Sequence, residues 1–333
     1  MEIKAVPNAE LRRTKRFSLE ELFGLKFPAG VPDEVKTVEG FEEPDVLTPS
    51  INPNYKFARE RLLNFLMALR MKDATYIAGH SGVGKSSFIC QVAARLNFNV
   101  IRINFDGNTR SSNIIGSIRA KDGGTYFSHG VLIQGFILPG TIIILDEVDA
   151  CPPEAAFSMQ RALEDDHKIL IQDTGELFSL HPQNFITATA NTFGSGDSSQ
   201  LYVAGTNVQN FSFMNRFNTV LYFNYMSEKD EMEYLSSAFP DFAKKHDQAL
   251  KNICSIAATT RQQFEAGNLA SPLTHRDTYN WISKMRVMPL PLRTAESSFL
   301  NRLNPSEATS IAKLISSKFT TVEGDVTRFL VKT

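Results

Sequence analysis

Residues 79–86 read Gly79-His80-Ser81-Gly82-Val83-Gly84-Lys85-Ser86, a complete G-x-x-x-x-G-K-[ST] loop. Such a loop dictates both its ligand and its surroundings. Glycines let backbone N–H groups close around a polyphosphate; Lys85 brings a point charge to the β- and γ-phosphates, and Ser86 brings a hydroxyl to Mg²⁺. The flanks agree. Ala74-Thr75-Tyr76-Ile77-Ala78 reads as a buried strand, and Ser87 to Leu96 carries apolar residues at helical spacing. A helix opening at Lys85 aims its positive dipole end at the phosphates. The candidate nucleotide-contacting set is Gly79, His80, Ser81, Gly82, Val83, Gly84, Lys85, Ser86 and Ser87.

A second element follows. Ile142-Ile143-Ile144-Leu145-Asp146-Glu147 is an apolar strand ending in two acids. Its apolar run fits a strand buried on both faces of a parallel sheet, with the acids at the carboxyl end where ligands bind. There Asp146 would hold Mg²⁺ together with Ser86, and Glu147 would orient and activate the attacking water. Read alone, the pair would be a strand end with solvated acids. Asn191 ends the strand Phe185–Ala190 and would contact the γ-phosphate or the water; alone, it reads as a turn residue. Arg216, in Phe213-Met214-Asn215-Arg216-Phe217, would act as an arginine finger in a neighbouring subunit's site. Arg276, in Leu273-Thr274-His275-Arg276, heads a helix and would sense the γ-phosphate. The bland reading of either arginine is a surface ion-pair partner.

At 333 residues the chain suits about two domains. Residues 1–50 are broken by prolines and read as an extended arm with one short amphipathic turn at Ser18–Phe23. Residues 51–227 alternate strands and helices, and 228–333 read as mostly helical. The chain is therefore expected to be an α/β protein with a parallel sheet, followed by a smaller helical domain. Two hairpins are expected inside the first domain. One covers 119–127 around Asp122-Gly123-Gly124, and the other joins 168–171 to 176–180 through Gln172–Gly175. A Gly/Ser-rich loop runs from Gly194 to Ser199, and a further strand spans 219–223.

Composition removes other functions. A formal net charge of −1 provides no global field for nucleic acid or an anionic membrane. The one basic run, Arg12-Arg13-Thr14-Lys15-Arg16, reads as a solvated flexible tail. Cys90, Cys151 and Cys254 are scattered without metal spacing, as in a cytoplasmic protein with reduced thiols. No apolar run reaches the length that spans a bilayer.

Taken in order, the loop, the Leu-Asp-Glu strand, the Thr-Ala-Asn strand end, Asn-Arg-Phe and Thr-His-Arg resemble the AAA+ P-loop NTPases. The two hairpins resemble those of the MoxR branch, one an insertion in its second helix, the other preceding the strand with the sensor Asn. Over roughly residues 45–290 the intervening pieces are similar to the CobS family of aerobic cobaltochelatase subunits. They include Gln91–Asn97, Arg102–Gly107, Asp146–Ala150, Ala188–Thr192, Met214–Phe217 and Arg276–Trp281.

This resemblance implies an AAA+ core with a helical lid, ATP and Mg²⁺ as ligands, and a homo-hexameric ring in which Arg216 reaches the next subunit. It also implies a CobT-like partner with an integrin-type (VWA) domain and a large chelatase subunit that inserts Co²⁺ into a corrin, hydrogenobyrinate a,c-diamide. No cobalt or corrin site is legible in this chain, so that chemistry would belong to another subunit. Asn215 stands where the family usually has Asp. The other expectation consistent with the motifs is a MoxR-like remodelling chaperone working with a VWA partner outside cobalamin synthesis.

Overall fold

The structure, a computed structural model, describes residues 2–194, 206–320 and 330–331. The expected Gly/Ser-rich loop lies, beyond Gly194, outside the described residues. The chain forms two compact units: Met1–Pro53, Phe57–Gly79 and Lys85–Phe223 in the first, Asn54–Lys56, His80–Gly84 and Asn224–Thr333 in the second.

The first unit is built on a parallel sheet of five strands among the described residues: β1 (Thr75–Ala78), β2 (Asn99–Asn104), β3 (Thr141–Asp146), β4 (Phe185–Ala190) and β5 (Thr219–Tyr222). Their order is β5-β1-β4-β3-β2. β3 and β4 are buried along their whole length, which is why their sequences are near-continuous apolar or small runs and do not alternate. Each fully buried Ile of β3 contributes about 1.5–3 kcal/mol by leaving water. Four helices flank the sheet: α1 (Arg59–Met71), α2 (Lys85–Arg95), α3 (Val131–Ile137) and α4 (Pro153–Met159). Directly after α4 the chain tightens into a 3₁₀ turn at Gln160–Leu163.

Both hairpins form. Gly116–Lys121 pairs with Gly124–His129 across a two-residue turn, Asp122-Gly123, with φ of 53° and 79°, the left-handed pair that matches strand twist. Lys168–Leu170 pairs with Glu176–Ser179.

The basic run is not a flexible tail. Thr14–Ser18 forms an antiparallel ladder with Thr37–Phe41, and Lys4–Ala5 adds in parallel to Glu176–Ser179. Anchoring comes from buried Leu19, Leu25 and Phe41. The Arg12 guanidinium lies 4.2 Å from the Phe41 ring centroid, and Gln183 exchanges side-chain hydrogen bonds of 2.8 and 2.7 Å with the Arg12 backbone.

The second unit is helical: α5 (Glu228–Ala238), α6 (Asp247–Glu265), α7 (His275–Met285), α8 (Pro291–Ser298) and α9 (Pro305–Lys318). Its starts are written in the sequence. Ser227, Thr274 and Asn304 cap α5, α7 and α9 by accepting N–H bonds three residues on. Trp281 is fully buried, donates its indole N–H to the Pro291 carbonyl at 3.0 Å and meets Phe299 edge-on. Among the described residues no helix is long and apolar enough to cross a membrane.

Candidate active site

Strand register brings the chemistry together. Asn104 lies opposite Asp146, Ala188 opposite Leu145, and Ala190 opposite Ala78. The carboxyl ends of β2, β3, β4 and β1 therefore meet at one edge, where Asp146, Thr189, Asn191 and Gly79 follow one another across the sheet.

At the end of β1 the chain turns sharply. Gly79 has φ of +155°, and a Cβ there would stand 2.0 Å from the Phe223 carbonyl oxygen, so no other residue fits. Gly82 and Gly84 also have positive φ, 76° and 90°, before α2 opens at Lys85.

The Lys85 side chain is only 8% exposed. Its ammonium donates to the Gly79 carbonyl at 2.5 Å and to Asn191 Oδ1 at 3.0 Å. Burial pushes its pKa down to about 8, against the opposing pull of Asp149, Asp146 and Glu147. Ser86 Oγ donates to Asp146 Oδ1 at 2.6 Å. Asp146 is 2% exposed and also accepts from the Thr189 hydroxyl. Its other oxygen takes Arg102 through Nε at 2.6 Å and through a terminal nitrogen.

Glu147 follows Asp146 with φ of 58° and ψ of 42°, a left-handed conformation uncommon for a residue with a side chain and concentrated at functional sites. Its N–H donates to Thr189 Oγ1 at 3.2 Å, and its carboxylate is exposed.

The structure thus joins Lys85, Ser86, Asp146 and Asn191 in one connected constellation, with Glu147 at its edge. Arg216 is not among them. It is fixed by buried Phe213 and Phe217 on either side and pairs with Glu164 at 3.3 Å, while its Nε is buried without a partner. Exposed Arg276 belongs to the second unit, in the first turn of α7. The loop residues His80–Gly84 also group with that unit.

Two site residues escaped the sequence reading. Asp149 is fully buried; its Oδ2 accepts from the N–H groups of Asn191 at 2.9 Å and Thr192 at 3.0 Å. It ties the turn after β3 to the end of β4, and burial raises its pKa. Arg102 neutralises half of Asp146. The only sequence signals were an acid three residues past Asp146 and an arginine on the alternating strand β2.

The donor set suits a magnesium nucleotide. A serine hydroxyl and a carboxylate in direct contact are hard oxygen ligands, and Mg²⁺ is held by one or two such groups plus phosphates. A buried ammonium and a glycine turn with no room for a Cβ suit a polyphosphate. Among the described residues no group of three or more His, Cys, Asp or Glu side chains could hold a metal ion.

Comparison with known proteins gives the family. Residues 75–276 match the AAA domain of the dynein-related subfamily. The chain is 29% identical to the aerobic cobaltochelatase subunit CobS of Sinorhizobium sp over 301 residues, covering 89% of this chain and 88% of that one. It is 27% identical to Midasin of Dictyostelium discoideum over 286 residues, 84% of this chain and 5% of Midasin. A chain of the closed-state cryoEM reconstruction of Hsp104 with ATPγS and FITC casein aligns over 60% of this chain and 40% of its own, with TM-score 0.43 and 16% identity. A signature that spans both the phosphate loop and the head of α7 leaves one conclusion: the chain belongs to the AAA domain family, in its dynein-related subfamily.

Proposed function

We propose that the protein hydrolyses ATP as the motor subunit of a CobS-like complex. The observation that carries this is the convergence of Lys85, Ser86, Asp146 and Asn191 at the ends of adjacent parallel strands.

Each residue has a task. Backbone N–H groups of Gly79–Ser86 cradle the phosphates, with Ser87 in the first helical turn behind them. Lys85 offsets charge on the β- and γ-phosphates. Ser86 and Asp146 would hold Mg²⁺, which would supply charge stabilisation to the phosphate oxygens. Asn191 and Glu147 orient the attacking water, and the Glu147 carboxylate takes its proton as the terminal phosphate separates from ADP. Arg216 completes a neighbouring subunit's site in a homo-hexameric ring, exchanging Glu164 for the developing charge. Arg276 senses the γ-phosphate.

The 29% identity to CobS over nearly the whole chain supports a place beside a CobT-like VWA partner and a large chelatase subunit that inserts Co²⁺ into hydrogenobyrinate a,c-diamide. A match of similar extent to a small part of the much longer Midasin supports a second reading, a remodelling ATPase outside cobalamin synthesis. ATP turnover by the purified chain, alone and with a CobT-like protein, separates them. A chelatase motor is expected to turn over several-fold faster with that partner. Indifference to it favours the second reading, and no turnover in any mixture defeats both.

A further inference from the structure

The second unit holds a buried polar cluster that the hydrolytic site does not use. Glu231, on α5, has 0% exposure. It accepts two bonds from Arg261 of α6, at 2.5 and 2.9 Å, one from His275 Nδ1 at 2.9 Å and one from Thr278 Oγ1 at 2.7 Å, both on α7. The other imidazole nitrogen, Nε2, accepts the Met226 N–H at 3.0 Å. That bond requires a lone pair on Nε2, so the ring proton sits on Nδ1, facing Glu231. Arg261 also donates from Nε to the Leu273 carbonyl at 2.8 Å. The head of α7 is therefore fixed from several sides.

Tyr225 extends this cluster to the phosphate loop. The Arg261 guanidinium lies 4.9 Å from its ring centroid, and His275 meets it edge-on at 5.7 Å. Beyond them, the Tyr225 ring lies parallel to His80, with centroids 5.8 Å apart and 5° between planes, and its hydroxyl donates to the Ser81 carbonyl at 3.1 Å. The next loop residue, Gly82, sits so close to the α7 cap that a Cβ would stand 2.5 Å from Thr274 Cβ. Loop tip, Tyr225 and the head of α7 are thus one packed body, within a single unit of the chain. Arg276 is the residue after His275.

We propose that Tyr225 is a positioning residue that couples the tip of the phosphate loop to the head of α7, and so to Arg276. The coupling rests on the reading of Arg276 as the γ-phosphate sensor. A loop that closes on a triphosphate moves His80 and Ser81. Tyr225 passes that displacement to Arg261 and His275, which hold the turn carrying Arg276.

The test is a double-variant cycle on the full chain, with affinities for ATPγS and ADP measured in Mg²⁺ by calorimetry. Arg276→Ala is expected to lower the ATPγS-over-ADP preference by about tenfold, within the usual range of coupling between sites. Tyr225→Phe keeps the ring and loses only the hydroxyl, and is expected to lower the same ratio by about three- to tenfold. His80→Ala, which leaves the buried cluster untouched, is expected to act like it. The double variant Tyr225→Phe with Arg276→Ala is expected to be no worse than Arg276→Ala alone. An unchanged ratio in both Tyr225→Phe and His80→Ala, or effects that multiply in the double variant, overturns the coupling. If Arg276→Ala itself leaves the ratio unchanged, the sensor reading fails and the coupling falls with it; if wild type binds neither nucleotide, the ATPase reading fails.

Discussion

In the proposed reading nucleotide binding turns on Lys85, and its titration gives a signed prediction. Burial lowers its pKa from 10.5 to about 8. Between those values the unfolded chain holds more protons, so this group favours folding more as pH rises from about 8 to about 10.5. For ligand binding the direction reverses. A polyphosphate prefers the charged ammonium, so nucleotide affinity should fall as pH climbs through about 8, and binding at pH 8.5 should draw a proton from the buffer. Calorimetry in two buffers of different ionisation heat measures that uptake; binding at pH 8.5 without proton uptake would contradict the assignment. At Asp149, Ala should strand the Asn191 and Thr192 N–H groups and cost about 1–3 kcal/mol, read by denaturant unfolding, whereas Asn keeps an acceptor and should cost less. Neither Asp149 nor Arg102 was legible beforehand, because their partners are set by register between strands distant in sequence. Lys85, Ser86 and Asp146 could be singled out as candidates because the loop and strand patterns that carry them are local in sequence.

Secondary-structure elements differ in how openly they are written. β3 and β4 could be placed within a residue because a buried parallel strand needs an unbroken apolar or small-residue run. The hairpin at Asp122-Gly123 could be placed because its turn needs positive φ twice. The strands of residues 1–50 could not. They are short, lie among prolines and are held mainly by backbone ladders to Thr37–Phe41 and Glu176–Ser179, which leave little trace in side-chain pattern. The contact between α5 and α7 also carries a pH signature. Burial alone would raise Glu231, but hydrogen bonds from His275 and Arg261 and the Arg261 charge more than offset it and hold it below its ordinary 4.5. Its stabilising contribution is complete above pH 4.5 and is lost as pH falls below that value. Thermal melts across that window should show the loss. Glu231→Gln should flatten the dependence and lower neutral-pH stability by about 3–5 kcal/mol, because it leaves Arg261 buried without its counter-charge.

At the scale of the whole molecule, the proposed function requires a site shared between subunits of a ring. Arg216→Ala should cut turnover by about 10³-fold or more if it supplies charge to a neighbour. Mixing Arg216→Ala subunits with Lys85→Ala subunits should then recover activity severalfold above either alone, since each spoils a different half of the site; mixed rings as inactive as their parents would mean Arg216 does not act across subunits. ATP hydrolysis at this site is tested by nucleotide binding and ATP turnover of Glu147→Gln beside Lys85→Ala. Glu147→Gln is expected to bind ATP with near wild-type affinity yet turn it over at least about 10²-fold more slowly, and Lys85→Ala is expected not to bind. Hydrolysis at the wild-type rate by Glu147→Gln, or normal ATP binding by Lys85→Ala, would contradict the proposed function.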